Sequence, residues 1–419
     1  MERLLVSSAL ALTCLSAQAV ELEVSLMYSD GYVNDTGVLV SSEIIGFYRS
    51  LDAANSLFSD SNVDLSLAPA KIYSVDAKTY DPTLNVLELR SELERKSLED
   101  ISDSAGHFVV GIARYPTSSG AIGYALPFND AAYAKFDADP SYKQTKKFAL
   151  ASGVTNSTSN PRYKYVLGHE LLHTLGAAHD QTGGERFDSY SLGNNFGHGE
   201  DCGNGNMSLM AESSVSASGT MMLSGIEGCN AGNGDMVRFI KEYAPRVSKH
   251  ENYLHMNTMT MNVIEDVAES EFEFTVTRTK DLSNSAKAYV HVSGSNASIT
   301  NEIAPVEVAF DANQATKTVT VPFSSIHPMF EDAKESDKKV FAVAISNTEV
   351  MNQLVDLSGI NTQWRPDSGS GGNDGDDNGN GNNGNNGGNT SSNGGGSVSF
   401  LGLISLLSFG LFRRRKSLL

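Results

Sequence analysis

An α/β domain followed by an all-β domain is the fold this sequence predicts, and two changes of texture predict it. Between residues 20 and 252 the apolar positions switch between a period of two and a period near 3.6, the mark of strands alternating with helices. From Asn262 onward only the period of two remains, broken by turns such as Ser293-Gly294 and Asp311-Ala312-Asn313. That pattern indicates a small antiparallel sandwich over residues 257–358. A chain of 419 residues has room for both units and for appendages at either end.

Each element follows from its residues. Residues 21–28 put Leu22, Val24 and Leu26 on one face of a strand. Residues 41–58 carry Ile44, Ile45, Phe47, Tyr48, Leu51, Ala54 and Leu57 at helical spacing. Residues 63–72 alternate again, 84–98 form a charged amphipathic helix, and 108–113 and 121–126 are short strands. In the second segment four sets point to one face of successive strands: Phe272, Phe274 and Val276; Ala288, Val290 and Val292; Val319, Val321 and Phe323; Phe341, Val343 and Ile345.

The two ends read as addresses. Glu2-Arg3, an apolar run from Leu4 to Leu15 and Ala17-Gln18-Ala19 have the layout of a secretory signal peptide over residues 1–19, with Val20 as the mature start. The run is too short to span a bilayer, which needs about 20 residues. At the other end, residues 365–397 form a linker of mostly Gly and Asn, and from Asp367 to Ser397 there is no apolar residue able to anchor it in a core. An apolar stretch and Arg413-Arg414-Arg415-Lys416 complete a segment over 398–419, the positive cluster holding that end on the cytoplasmic side. This tripartite tail resembles the GlyGly-CTERM sorting signal of Gram-negative bacteria. The resemblance implies transient membrane contact, removal of the tail during sorting, and an extracellular or outer-surface destination reached through export and sorting machinery. A plain C-terminal anchor is the competing reading.

Charge and cysteine usage narrow the partners. Acids outnumber bases 50 to 31, a formal charge of −19, whereas phosphate binding needs clustered Lys and Arg, so no nucleic acid is expected. Once the first nineteen residues are removed only Cys202 and Cys229 remain, and they can form one disulfide in an oxidising compartment.

The chemistry lies in one eleven-residue window. Asn160-Pro161 suits the start of a helix, since Asn accepts from free N–H groups and Pro at the first position sacrifices no bond. The apolar positions then run to Leu175, and Gly176 is the expected left-handed terminator. His169 and His173, four apart, share one helix face and can point at one Zn²⁺. The turn at Gly176 lets His179 return as a third ligand. Three neutral imidazoles leave one position open, which is the pattern of a catalytic site. Glu170 follows the first ligand and is offset around the helix, so it reaches a water beside the metal instead of the metal itself.

This run, His169-Glu170-Leu171-Leu172-His173-Thr174-Leu175-Gly176-Ala177-Ala178-His179-Asp180, resembles the metzincin zinc signature HExxHxxGxxH. The Asp after the third His resembles the reprolysin, or adamalysin-like, branch. The resemblance implies a metzincin-type α/β (α+β) catalytic domain with a twisted mixed sheet and an active-site helix. It also implies one catalytic zinc ion, Glu170 as general base and acid, Asp180 supporting the ligand helix, and a buried methionine in a tight turn beneath the metal. Met210 is the first candidate for that turn and Met222 the second. His198 reads as a solvated loop residue. Protein or peptide substrates are expected to lie extended against an edge strand at 120–126. The β segment resembles a Calx-β domain, and Glu265, Asp266, Asp311, Glu331 and Asp332 are the acids with which it would bind Ca²⁺; a spacer with solvated acids is the plainer reading. The main functional expectation is a zinc endopeptidase. A surface adhesion protein with an inactive metzincin domain, or a zinc hydrolase of non-peptide bonds, are the alternatives.

Overall fold

The computed structural model describes residues 20–29, 41–75, 106–113, 123–125, 127–139, 148–152, 163–179, 192, 196–200, 202–203, 205–211, 220–230, 233–249, 257–266, 270–294, 303–326, 339–346 and 349–358. The expected signal peptide, the helix expected at 84–98, Asn160-Pro161, Asp180, Glu331, Asp332 and residues 365–419 lie outside the described residues.

The α/β segment is built on a five-stranded sheet. Strands β1 (Val20–Ser29), β2 (Leu65–Val75), β3 (Phe108–Ala113), β4 (Gly123–Ala125) and β5 (Phe148–Ser152) lie in the order β2-β1-β3-β5-β4. Every neighbouring pair is parallel except β4–β5, which is antiparallel. β1 lies inside this sheet, and Leu22 through Met27 are all buried, Glu23 and Ser25 included. The face opposite Leu22, Val24 and Leu26 is therefore covered as well, as parallel sheets are on both sides.

Among the described residues, four helices accompany the sheet. α1 (Ser41–Asp60) spans the predicted helix and ends at Asn62, which adopts a left-handed φ of 53° while the Val63 N–H closes onto the Phe58 carbonyl at 2.9 Å. α2 (Asp130–Ala138) is capped by Asn129, whose Oδ1 accepts the Ala132 N–H at 3.0 Å. α3 (Val166–Thr174) carries two of the predicted ligands, and α4 (Met236–Ser248) starts at Asp235, which accepts the Arg238 N–H at 2.8 Å. Between α3 and α4, β6 (Met207–Ser208) and β7 (Met221–Met222) form a two-stranded parallel pair.

The β segment contains β8 (Asn257–Thr258), β9 (Thr260–Asp266), β10 (Glu271–Thr277), β11 (Ala286–Gly294), β12 (Val306–Phe310), β13 (Thr316–Pro322), β14 (Val340–Ser346), β15 (Glu349–Val350) and β16 (Val355–Asp356). One antiparallel sheet has the order β13-β10-β9; the second has the order β12-β11-β14-β15-β8, with β16 added to β14. Phe323, expected to finish a strand, instead opens a single helical turn, Phe323–Ile326. The buried Arg278 side chain donates to the carbonyls of Leu282, Asn284, Asp311 and Gln314 at 2.8–3.4 Å and so closes the turn expected at 311–313. Among the described residues, Glu265, Asp266 and Asp311 form no group able to hold a metal ion. No described helix is long and apolar enough to cross a membrane.

The two segments pack against each other through α1. Residues 41–48 of α1 are buried on every side, which an amphipathic surface helix is not. On the side facing the β segment, Ser41 Oγ lies 3.0 Å from His291 Nδ1 of β11, and Tyr48 Oη donates to the Met351 carbonyl at 2.7 Å. Consequently β11 and β14 are buried on both faces: Val290 and Val292 are covered, and so are His291 and Ser293. On β14 the best-buried residues are Val340, Ala342, Val343 and Ala344, whereas Phe341, assigned inward from the sequence, is only half-buried beneath the Arg49 guanidinium.

Burial holds the His291 imidazole down at a pKa of about 3. The unfolded chain, with His near 6.5, then binds a proton that the folded chain refuses. The stabilising contribution is complete above pH 6.5 and is lost as the pH falls toward 3. Between pH 6.5 and 5 the parent should lose about 2 kcal/mol more stability than His291→Gln. Urea unfolding of both proteins at the two pH values checks this, and equal losses would sink it.

Candidate metal centre

The site begins with how α3 is started and stopped. A 3-10 turn, Tyr163–Tyr165, feeds the helix without a side-chain cap. Leu167, Leu171 and Leu172 are buried and fix its inner face, and Gly168 crosses Ala54 of α1 closely enough that an added Cβ would lie 3.0 Å from the Ala54 Cβ. The stop is a Schellman motif: the Gly176 N–H donates to the His173 carbonyl at 2.8 Å and the Ala177 N–H to the Leu172 carbonyl at 3.0 Å. Gly176 has φ of +101°, which glycine alone adopts without strain, and a Cβ there would press on Leu192 and the Phe128 carbonyl at 2.8 and 2.9 Å.

Beyond that turn the chain is held by backbone pairing. The Ala178 N–H donates to the Gly197 carbonyl at 2.8 Å, and the Gly199 N–H donates back to the Ala178 carbonyl at 3.2 Å. This bridge aims His179 back at the helix. His198 contributes to it through its main chain, while its own Nδ1 donates to the Gly199 carbonyl at 2.7 Å. Among the described residues His198 is not part of the metal-holding group; that group is His169, His173 and His179.

The three rings meet at their Nε2 atoms. His179 Nε2 lies 3.1 Å from His169 Nε2 and 3.0 Å from His173 Nε2. His169 Nδ1 faces the Leu209 carbonyl at 2.6 Å, and His173 Nδ1 faces the Ala177 carbonyl at 2.8 Å. A carbonyl only accepts, so each Nδ1 carries the proton and each Nε2 of that pair presents a bare lone pair. One proton on His179 could satisfy one of those lone pairs and not both. A shared cation satisfies all three. Tetrahedral Zn–N bonds of about 2.0–2.1 Å require ligand nitrogens about 3.3–3.4 Å apart, close to the spacing observed. The donor set therefore fits a zinc ion.

Electrostatics point the same way. Burial, followed by the neighbouring His179, lowers His169 to a pKa of about 4 against the opposing pull of the Leu209 carbonyl. His173 is driven well below its ordinary value, by burial first and then by His169 and His179. Both rings are thus neutral at pH 7, the form that binds metal. Burial drives Glu170 in the other direction, well above the usual carboxylate range. Glu170 lies against Gly123, at the start of the edge strand β4.

Underneath sits the loop that includes β6 and β7. The Leu209 N–H is held by the Met222 carbonyl at 2.8 Å, the Ala211 N–H closes onto Ser208 at 3.0 Å, and the Met210 side chain is wholly buried. Met222, the other methionine candidate, is half-buried on β7. A disulfide joins Cys202 to Cys229, whose Cα atoms are 4.1 Å apart, and closes the ring that carries Leu209 and Met210. Ser224 ties this ring to the start of α4, its Oγ accepting the Met236 N–H at 3.2 Å and donating to the His198 carbonyl at 2.9 Å, while the Asp235 N–H donates to the Phe196 carbonyl at 2.8 Å. The Leu209 carbonyl lies outside the signature and left no sign in the sequence, and Gly123 falls within the edge strand expected at 120–126 while its contact with Glu170 did not show there.

Residues 26–223 match the Reprolysin_5 model, metallo-peptidase family M12. The match spans Gly123, the three histidines, Glu170, Met210 and Cys202 and stops short of Cys229. The metallopeptidase reading thus stands on two separate findings, this match and a group of imidazoles able to hold a metal. No curated protein sequence matches the chain. Solved structures with partial likeness include a chaperone–substrate complex at 13% identity and a TM-score of 0.35, covering 57% of this chain and 40% of that one. Metalloproteinase-II from Bacteroides fragilis follows at 15% identity and a TM-score of 0.26, covering 40% of this chain and 46% of that one. Wild-type OgpA from Akkermansia muciniphila shows 10% identity and a TM-score of 0.24, covering 81% and 92%. The chain spans less than half the length of the first two.

Two outcomes follow from the supports of the site. Gly176→Ala should cost about 1–3 kcal/mol, as forced left-handed backbone does, and should weaken zinc retention because His179 hangs on that turn; denaturant midpoints and zinc competition with a chelator read both. Replacing Cys202 and Cys229 together by Ala should cost about 3–4 kcal/mol through the opened 27-residue loop. A double variant as stable as the parent would show the ring to be held by packing alone.

Proposed function

We propose that this chain is an exported zinc endopeptidase of the reprolysin-like metzincin type. The observation that carries the reading is the convergence of three Nε2 atoms within 3.0–3.1 Å steps, with a buried carboxyl next to the first of them in the chain. Zinc, when bound, supplies a Lewis acid that polarises a scissile carbonyl and lets water ionise near neutral pH. His169, His173 and His179 are the residues that hold it. Glu170 takes the proton of the attacking water on a carboxylate oxygen and delivers it to the leaving amine nitrogen. Its buried setting suits the second half of that task, since burial favours the protonated carboxyl. Strand β4, at the sheet edge beside Glu170, offers main-chain groups on which an extended substrate can pair. Met210 is the methionine of the turn beneath the metal; it packs and does not coordinate. Asp180, next to His179 in the chain, supports that ligand from outside the coordination sphere.

Export is the setting this reading requires. A secretory leader at 1–19 and a Cys202–Cys229 disulfide both belong to an oxidising compartment outside the cytoplasm. We read residues 257–358 as a Calx-β-like sandwich that presents the peptidase. The linker at 365–397 and the segment at 398–419 serve as a GlyGly-CTERM-type tail that engages sorting machinery and the membrane before it is removed. The substrates are extracellular proteins or peptides. A purely adhesive role gives no reason for Glu170 to accompany three intact ligands.

Glu170→Ala should reduce peptide cleavage by about 10³-fold or more, the loss of a general base and acid, while zinc stoichiometry by elemental analysis stays that of the parent. His169→Ala should lose the metal as well. Unchanged turnover in Glu170→Ala would refute the assigned role.

A further inference from the structure

We propose that Gly123 is a positioning residue for Glu170: the space left by its missing side chain is the seat of the catalytic carboxyl. A Cβ built on Gly123 would fall on Glu170 Oε1 and would sit only 2.7 Å from Glu170 Cγ. The end of the glutamate side chain thus fills the volume that any other residue at 123 would claim.

Three observations make this a requirement for space at that position. The first concerns the backbone. Gly123 is a strand residue and is not among the glycines with positive φ, so any amino acid could adopt its conformation. Glycine weakens a strand and is expected where another group must approach closely. Second, Glu170 cannot step aside. It is 5% exposed, and its main chain belongs to a helix held on either side of it by the His169–Leu209 and His173–Ala177 hydrogen bonds. Its own carbonyl also accepts from Thr174 Oγ1 at 3.0 Å. Third, β4 cannot retreat, because Gly123, Tyr124 and Ala125 pair with Ala151, Leu150 and Ala149 of β5, and β5 pairs in turn with β3. A methyl group at 123 therefore forces the carboxyl to rotate. Gly168 on the same helix differs: its close neighbour is the Ala54 methyl, so it serves helix crossing alone.

The seat fixes the carboxyl relative to both the imidazoles and the sheet edge. Its steric part stands on geometry alone; its catalytic consequence rests on the peptidase reading above. The two are separated by measuring a thermal and a kinetic cycle on the full-length mature protein loaded with zinc. Gly123→Ala should lower Tm by about 5 °C, as overpacking of a buried contact does. In a Glu170→Ala background the same change should leave Tm unmoved or raise it. If Gly123→Ala fails to fold, a folded double variant supports the seat and an unfolded one overturns it.

In the kinetic arm, Gly123→Ala should keep its zinc and hold KM within about twofold while kcat falls about 10²-fold, the effect of a misplacement near 1 Å. Glu170→Asp, one methylene shorter, should reduce kcat in the parent yet leave it unchanged or raise it in the Gly123→Ala background. Additive Tm losses, or a parent-like kcat in Gly123→Ala, would overturn the proposal. A parent protein that cleaves no peptide would remove the peptidase reading, and the Tm cycle would still decide whether the seat exists.

Discussion

Two imidazole nitrogens that present lone pairs converge on a third, no single proton can satisfy both, and the surrounding structure is organised to bring all three together around the place of one cation. Three separate pieces of chain share that work. The Leu209 carbonyl fixes the His169 ring from the loop after β6, the Ala177 carbonyl fixes His173 from the helix terminator, and the backbone bridge between Ala178 and residues 197–199 aims His179. Each support also sets the tautomer or direction of the ring it touches, so it acts on basicity as well as on place. Burial reinforces this. A protonated imidazole in that environment would lose its hydration, so His169 falls to about 4 and His173 falls well below its ordinary value, leaving the neutral form a metal needs.

The supports are themselves interdependent. The Leu209 carbonyl is where it is because Met222 holds the Leu209 N–H, because Met210 is sunk in the core, and because the Cys202–Cys229 bond closes the ring around both. That ring is fastened to α4 through Ser224, which accepts the N–H groups of Met236 and Val237. At the other end, α1 meets α3 at Ala54 and meets the β segment at Ser41 and Tyr48. One helix thereby buttresses the metal-binding helix with one part of its surface and buries His291 with another. The β segment is coupled to the site through a packed helix with no break in the buried cluster between them.

What could be read from the sequence was whatever depends on neighbours along the chain. The spacing of His169, His173 and Gly176 is a statement about a single helix and its terminator, so it was legible, as were α1, β3 and the strand cores of the β segment. What needed partners distant in sequence was not. β5 is a short apolar run without alternation, and α2 is only nine residues long, although Asn129 before it was a usable capping signal. In β1 and β14 alternation placed one set of apolar residues on a common face, while the burial of the second face comes from elements far away in the chain. The Leu209 carbonyl left no trace at all: every residue has a carbonyl, and only the fold selects which one meets an imidazole.

The same burial that keeps the histidines neutral acts on Glu170 with the opposite sign, and this opposition makes the site chemically useful. Desolvation favours the uncharged form of every group, so it removes a proton from imidazole and retains one on carboxyl. A divalent cation held by the rings would favour the carboxylate instead, by direct attraction. Glu170 therefore stands between two opposing influences of comparable kind, one fixed by packing and one by charge. The reaction proposed for this site asks Glu170 to accept a proton and give it up within one turnover, at a distance from the rings that does not drift. That condition falls on packing, and in this fold the packing surface in question is the Cα of Gly123.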